Sequence, residues 1–124
     1  MDQRKGFIVG LLALLLSGCQ QSPERFVVPV SPLQLVLNDL GDSFQESVSN
    51  FSIQQRTLGA SLESPDSVIL VVDEDTPLDD SIAAQQVTYK LSYQQQQWRI
   101  IDKHTQQRCV SGRGSQQFSD DLCR

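Results

Sequence analysis

The apolar positions of this chain fall into four patterns. From Phe7 to Leu16 they form an unbroken, charge-free run behind Arg4 and Lys5. That run is too short to cross a bilayer as a helix, which takes about 20 residues. Leu33, Val36, Leu37 and Leu40 then recur at helical spacing. Ser31-Pro32-Leu33-Gln34 fits a helix start, with Ser at the N-cap, Pro at the first helical position and Gln at the third. Gly41 fits a helix stop. Leu33, Leu35 and Leu37 also alternate as a strand would, but the start signal favours a helix over Ser31–Leu40. Phe44, Val48 and Phe51 extend the helical spacing by a turn or two. Ile53 to Leu62 is weakly patterned, a strand candidate to pair with the next segment.

The third pattern is Val68-Ile69-Leu70-Val71-Val72, consecutive and mostly β-branched. It predicts a core strand over Ser67–Val72, buried on both faces, with Pro65-Asp66 breaking the chain before it. The fourth is a strict alternation. Val87, Tyr89, Leu91 and Tyr93 face one way, and Thr88, Lys90 and Ser92 the other. After Gln94 to Gln97, Trp98 to Lys103 reads as a return strand, so an antiparallel hairpin with one solvated face is expected. Together these predict a small α+β domain over residues 33–124, an antiparallel sheet with one or two helices. Its expected core is Leu37, Leu40, Phe44, Val68, Leu70, Val72, Val87, Tyr89, Leu91, Trp98 and Ile100. Residues 19–32, with Pro23 and Pro29, read as a tether, although Phe26, Val27, Val28 and Val30 are apolar enough for part of it to pack on the domain.

The first pattern ends in Leu16-Ser17-Gly18-Cys19. A basic start, an apolar stretch and small residues form the layout of a secretory signal, and the final four residues resemble the lipobox of bacterial lipoproteins. The resemblance implies removal of residues 1–18, acylation of Cys19 and attachment to a membrane through two or three acyl chains, palmitate among them. Each buried methylene contributes about 0.8 kcal/mol, so one chain holds marginally and several hold firmly. Gln20 stands where such lipoproteins commonly carry Asp for inner-membrane retention, which implies the periplasmic face of the outer membrane.

Removing residues 1–18 leaves 106 residues, enough for one modest core. The whole chain carries −5; without Arg4, Lys5 and Asp2 it holds eight basic and fourteen acidic side chains, a net of −6. A net acidic protein repels phosphate backbones, so nucleic acid is not an expected partner. The charge is uneven: residues 20–84 hold two basic and eleven acidic side chains, residues 85–124 six basic and three acidic. Attraction between the two halves within one fold is the simpler account; a polar partner surface is the alternative.

Besides Cys19 there are two cysteines, Cys109 and Cys123. They allow one intramolecular pairing, and an oxidising envelope permits it. Fourteen residues apart, they suit neither a redox pair nor, with one distant His, a zinc site.

Candidate chemistry is sparse. Asp73-Glu74-Asp75-Thr76-Pro77-Leu78-Asp79-Asp80 suggests calcium but fails the EF-hand template, with Leu78 where Gly is needed and no closing Glu. A short helix capped by Thr76 explains its acidic residues as well. His104, the one histidine, reads as the end of a strand without a partner set, and there is no nucleophile-elbow signature. The expectation is no enzyme, no metal and no cofactor. Gln106 to Arg124 reads as a polar loop in which Gly112-Arg113-Gly114 presents a guanidinium. The string from Trp98 to Cys123 resembles the end of small exported bacterial proteins, a likeness that implies no activity.

Arg113 and Trp98 are the candidate binding residues. The expected role is a non-catalytic interaction or structural module, anchored to the membrane and contacting another envelope protein. The alternative is a small-ligand binder with a pocket near the Gly-Arg-Gly loop, as in NTF2-like or cystatin-like architectures.

Overall fold

Ser31 starts the first helix as its side chain predicts: its Oγ accepts from the Gln34 amide at 3.2 Å, and Pro32 fills the first turn. This helix, α1 (Pro32–Leu40), ends where the Gly41 amide donates to the Leu37 carbonyl. Gly41 has φ +82°, a left-handed conformation that suits glycine, and it turns the chain directly into a single turn, α2 (Asp42–Gln45). The computed structural model describes residues 29–59, 61–75 and 80–124. The leader, Cys19 and the tether up to residue 28 therefore lie outside the described residues, as does the expected helix cap at Thr76.

Four strands follow: β1 (Phe51–Leu58), β2 (Ser67–Glu74), β3 (Ile82–Gln94) and β4 (Gln97–Cys109). They form one antiparallel sheet in the order β1-β2-β3-β4. The fold is thus α+β, one short helix and its single-turn extension on a four-stranded sheet, with one disulfide, Cys109–Cys123.

The core lies between α1 and one sheet face. Val68, Leu70 and Val72 of β2 and Val87, Tyr89 and Leu91 of β3 meet Val36 of α1 and Phe44 of α2. Leu37, Leu40, Trp98 and Ile100 pack around them half-buried, as do Leu35 and Ile53. The helical face is rotated from the expected one. Pro32, Val36 and Leu40 form the i, i+4 row turned to the sheet, while Leu33 is 40% exposed. Val48 is not on a helix at all; it is fully exposed ahead of β1, which opens at Phe51.

Two further expectations are corrected. The β2 run is not buried on both faces, because α1 covers only one. Val68, Leu70 and Val72 are buried, and Ile69 and Val71 on the other face only half so, flanked in register by Arg56 and Lys90 and by Gln54 and Thr88. Nor is Gln106 the start of a loop: β4 runs on to Cys109, so His104 sits well inside the strand.

An extra residue decides what β4 presents. Lys90 pairs with Asp102 but Leu91 pairs with Ile100, so Ile101 has no opposite number. Without this bulge the alternation begun by Trp98 and Ile100 would turn Asp102 and His104 toward the helix. With it, Lys103 lies opposite core Tyr89, and Asp102 and His104 go to the open face.

The β3–β4 turn is made by Gln95 and Gln96, at φ +51° and +62°. A two-residue hairpin turn with both φ values positive matches strand twist but favours Asn-Gly. Each non-glycine residue there costs roughly 1–2 kcal/mol in left-handed strain. Gln96→Gly is therefore expected to raise stability by about 1 kcal/mol, read as an increased urea midpoint with an unchanged slope. The disulfide closes the segment after β4, where Gly114 (φ +144°) lets the backbone pass so close to Cys109 that an added Cβ would lie 2.7 Å from its Sγ. For a loop of this size the chain-entropy model gives about 3 kcal/mol. Reduction, or Cys109→Ala with Cys123→Ala, is expected to lower unfolding free energy by about that much in urea titrations.

Candidate functional site

Three places hold side chains arranged beyond simple packing. The first is a polar clamp between helix and sheet. Tyr89 has no exposed surface, and a buried phenol needs a partner for its hydroxyl. It donates to Asp39 Oδ2 near the end of α1 at 2.8 Å. Lys103, turned inward by the bulge, donates to the same oxygen at 2.7 Å and lies 5.4 Å from the centre of the Tyr89 ring. One carboxylate thus ties α1 to β3 and β4. Asp39–Lys103 is also an ion pair joining the acidic and basic halves of the chain, whereas Lys90–Asp102 and His104–Asp120 both lie within the basic half.

The clamp shifts both acids. Lys103 first, then the Tyr89 hydroxyl, hold Asp39 below its ordinary pKa of 3.8. Burial first, then Asp39, push the Tyr89 phenol well above its ordinary 10.0.

The second place is the end of the sheet that carries the β3–β4 turn. Tyr93 and Trp98 lie directly opposite each other, rings tilted at 56° with centres 5.3 Å apart, an arrangement aromatic pairs prefer. They line an open groove of about 770 Å³ together with the turn glutamines and with Pro29, Val30 and Leu35. The chain enters the domain here. Trp98 is half-buried against the core, and Tyr93 is 42% exposed.

The third place is the C-terminal segment at the other end. Arg113 is exposed beside a polar depression of about 430 Å³ that Gly112, Gly114, Ser115, Arg124 and the acidic Asp121 also line. Its guanidinium already donates to the Arg124 carbonyl at 3.2 Å, and its own carbonyl accepts from the Arg124 amide at 2.8 Å. The segment is stitched to β4 by the disulfide and by paired Gln107–Ser119 amide hydrogen bonds. Arg113 and Trp98, the two residues singled out in the sequence, are therefore not brought together. Trp98 is the second residue of the thirteen-residue β4 and the Arg113 loop follows its end, some 35 Å away at about 3.3 Å per residue.

The acidic stretch is partly engaged. Asp73 accepts from Gln86 Nε2 at 2.7 Å, and Glu74 accepts from the hydroxyls of Ser47 and Ser49. Residues 76–79 lie outside the described residues. Among the described residues, no three His, Cys, Asp or Glu side chains group to hold a metal ion, and no helix is long and apolar enough to cross a membrane. His104 Nε2 lies 2.8 Å from Asp120 Oδ1, both exposed.

Sequence reasoning missed the clamp, since its members are 50 and 64 residues apart and a bulge aims one of them. The available signal was Tyr89 itself, a phenol between Val87 and Leu91 on the core face of the strand. Stability carried by Asp39 is present above 3.8 and lost as pH falls through its lower folded value. Stability carried by Tyr89 is present below 10.0 and lost as pH rises from there through its higher folded value. A plot of urea midpoint against pH is expected to fall off on both sides, with Asp39→Asn flattening the acid limb and Tyr89→Phe, at a cost of about 1 kcal/mol at neutral pH, removing the alkaline limb. Comparison with protein-family models, with curated proteins and with solved structures found no match for this chain.

Proposed function

We propose that this chain is an envelope lipoprotein, cut after Gly18, acylated on Cys19 and held on the periplasmic face of the outer membrane. Its domain acts by contact with another envelope protein rather than by catalysis. The observation that carries this reading is Leu16-Ser17-Gly18-Cys19 at the end of an apolar run behind Arg4 and Lys5. The Cys109–Cys123 disulfide supports it, because such bridges persist in oxidising compartments. Gln20 in place of Asp favours the outer membrane.

The non-catalytic part draws support from how the reactive side chains are used. Both described cysteines are bridged, His104 faces Asp120, and Asp39 is shared by Tyr89 and Lys103. The depression beside Arg113 keeps small-anion binding as the second reading, although the guanidinium there already has an acceptor.

Expression with labelled palmitate tests the anchor. The wild-type chain is expected to take up label and sediment with membranes, and Cys19→Ser to lose all label and become soluble. An unlabelled chain that begins at Met1 and washes off membranes in buffer overturns the reading. Envelope crosslinking followed by pull-down tests the role: a recovered protein partner supports contact, and its absence together with anion binding lost in Arg113→Ala favours the second reading.

A further inference from the structure

The two ends of this sheet differ in chemistry. At the turn end stand Val30, Leu33, Leu58, Leu62 and Tyr93, all exposed, with Leu62 at 86%. From Tyr93 to Trp98 there is no charge. The β1–β2 connection reaches the same end, since the Asp66 carbonyl accepts from the Tyr93 amide at 2.8 Å. The charged side chains close by are Glu63, Asp66 and Arg99. The other end also exposes apolar side chains, Val48, Phe51, Val110 and Leu122. There they stand among Asp42, Glu46, Glu74, Asp75, Asp80, Asp120 and Asp121, against Arg108, Arg113 and Arg124. One end is apolar and nearly neutral, the other strongly acidic.

The chain enters at the neutral end. Pro29 and Val30 line its groove, and Cys19 precedes Pro29 by ten residues, which span at most ~35 Å even when fully extended. We propose that this end is a membrane-contact face that seats Tyr93 and Trp98 in the lipid–water interface and holds the domain in one orientation. The proposal rests on the lipid-anchor reading above. An anchored domain must turn some face to the bilayer. Anionic lipid repels the acidic end, while Trp and Tyr favour the interface, where an apolar ring and a polar edge are both accommodated. Four uncharged glutamines at the tip can hydrogen-bond headgroups without bringing a charge into them. The anchor also makes contact cheap, because a short tether keeps the face at high local concentration near the surface.

Trp98 is the only tryptophan, so its emission reports this end alone. The acylated wild-type chain is reconstituted in vesicles of phosphatidylethanolamine and phosphatidylglycerol, with and without bromine on the acyl carbons nearest the glycerol. Brominated lipid is expected to remove roughly half of the Trp98 emission, with a shift to the blue, as for a ring at the interface. Leu62→Glu is expected to restore most of the emission. Leu122→Glu, equally exposed at the acidic end, is expected to restore none. An anchored wild-type chain whose emission ignores bromine overturns the proposal and leaves the anchor standing, as does equal quenching in the two variants. A wild-type chain that fails to float with the vesicles overturns the anchor and the proposal together.

Discussion

Everything in this domain depends on one row of contacts, Val68, Leu70 and Val72 of β2 against Val36 of α1 and Phe44 of α2. Among the described residues no element covers the second face of the sheet, so their apolar burial is on one side only. A domain of this size buries a smaller fraction of its surface than a larger one and keeps a thin margin. Every other device supports that row. Leu35 and Leu40 widen the helix contact, Val87, Tyr89 and Leu91 extend it across β3, and Trp98 and Ile100 close it at the edge. The apolar hold on α1 is narrow, since only Pro32 and Val36 of its residues are buried, with Leu35, Leu37 and Leu40 half so.

The clamp answers that weakness. Apolar packing fixes how closely a helix lies on a sheet but only loosely how far it slides along it. Asp39 receives two donors from adjacent strands at hydrogen-bond distance, which fixes position as well as contact. The arrangement needs Lys103 on the helix face, and the β4 bulge at Ile101 is what puts it there. A local irregularity in pairing and a long-range ion pair are therefore parts of one device. Exposure of the Lys103 and Asp39 side chains to water limits what the pair contributes in energy; its worth lies in specifying the helix position.

Much of this could be read from the residues. Ser31, Pro32 and Gly41 act through local backbone chemistry, so the first helix was legible to within a residue. The alternation from Val87 to Tyr93 named its own core face, and Trp98 opposite Tyr93 followed from the hairpin. The disulfide followed from the cysteine count. What the residues hid is what depends on neighbours distant in sequence. Five consecutive apolar residues in β2 read as buried twice, yet whether a second layer exists is decided elsewhere in the chain. The bulge adds a residue without any mark such as glycine, and so the turn of Lys103 inward was invisible. The groove at Trp98 was half legible: the tryptophan was a candidate, but Pro29, Val30 and Leu35 belong to a different part of the chain.

The two ends of the sheet are secured by different means, and their chemistry follows from that. At the acidic end the tail after β4 is polar and buries little apolar surface of its own, with Leu122 exposed. A covalent bridge and the Gln107–Ser119 pairing hold that tail where packing does not. At the neutral end the loops carry no such staple, and the β3–β4 turn keeps two glutamines in a left-handed conformation that glycine would adopt at lower cost. Retained strain of that kind is informative when the side chains so placed have somewhere to act. A turn that only had to reverse the chain gains nothing from glutamine at both positions; one that meets a polar surface gains four hydrogen-bonding groups beside Tyr93 and Trp98.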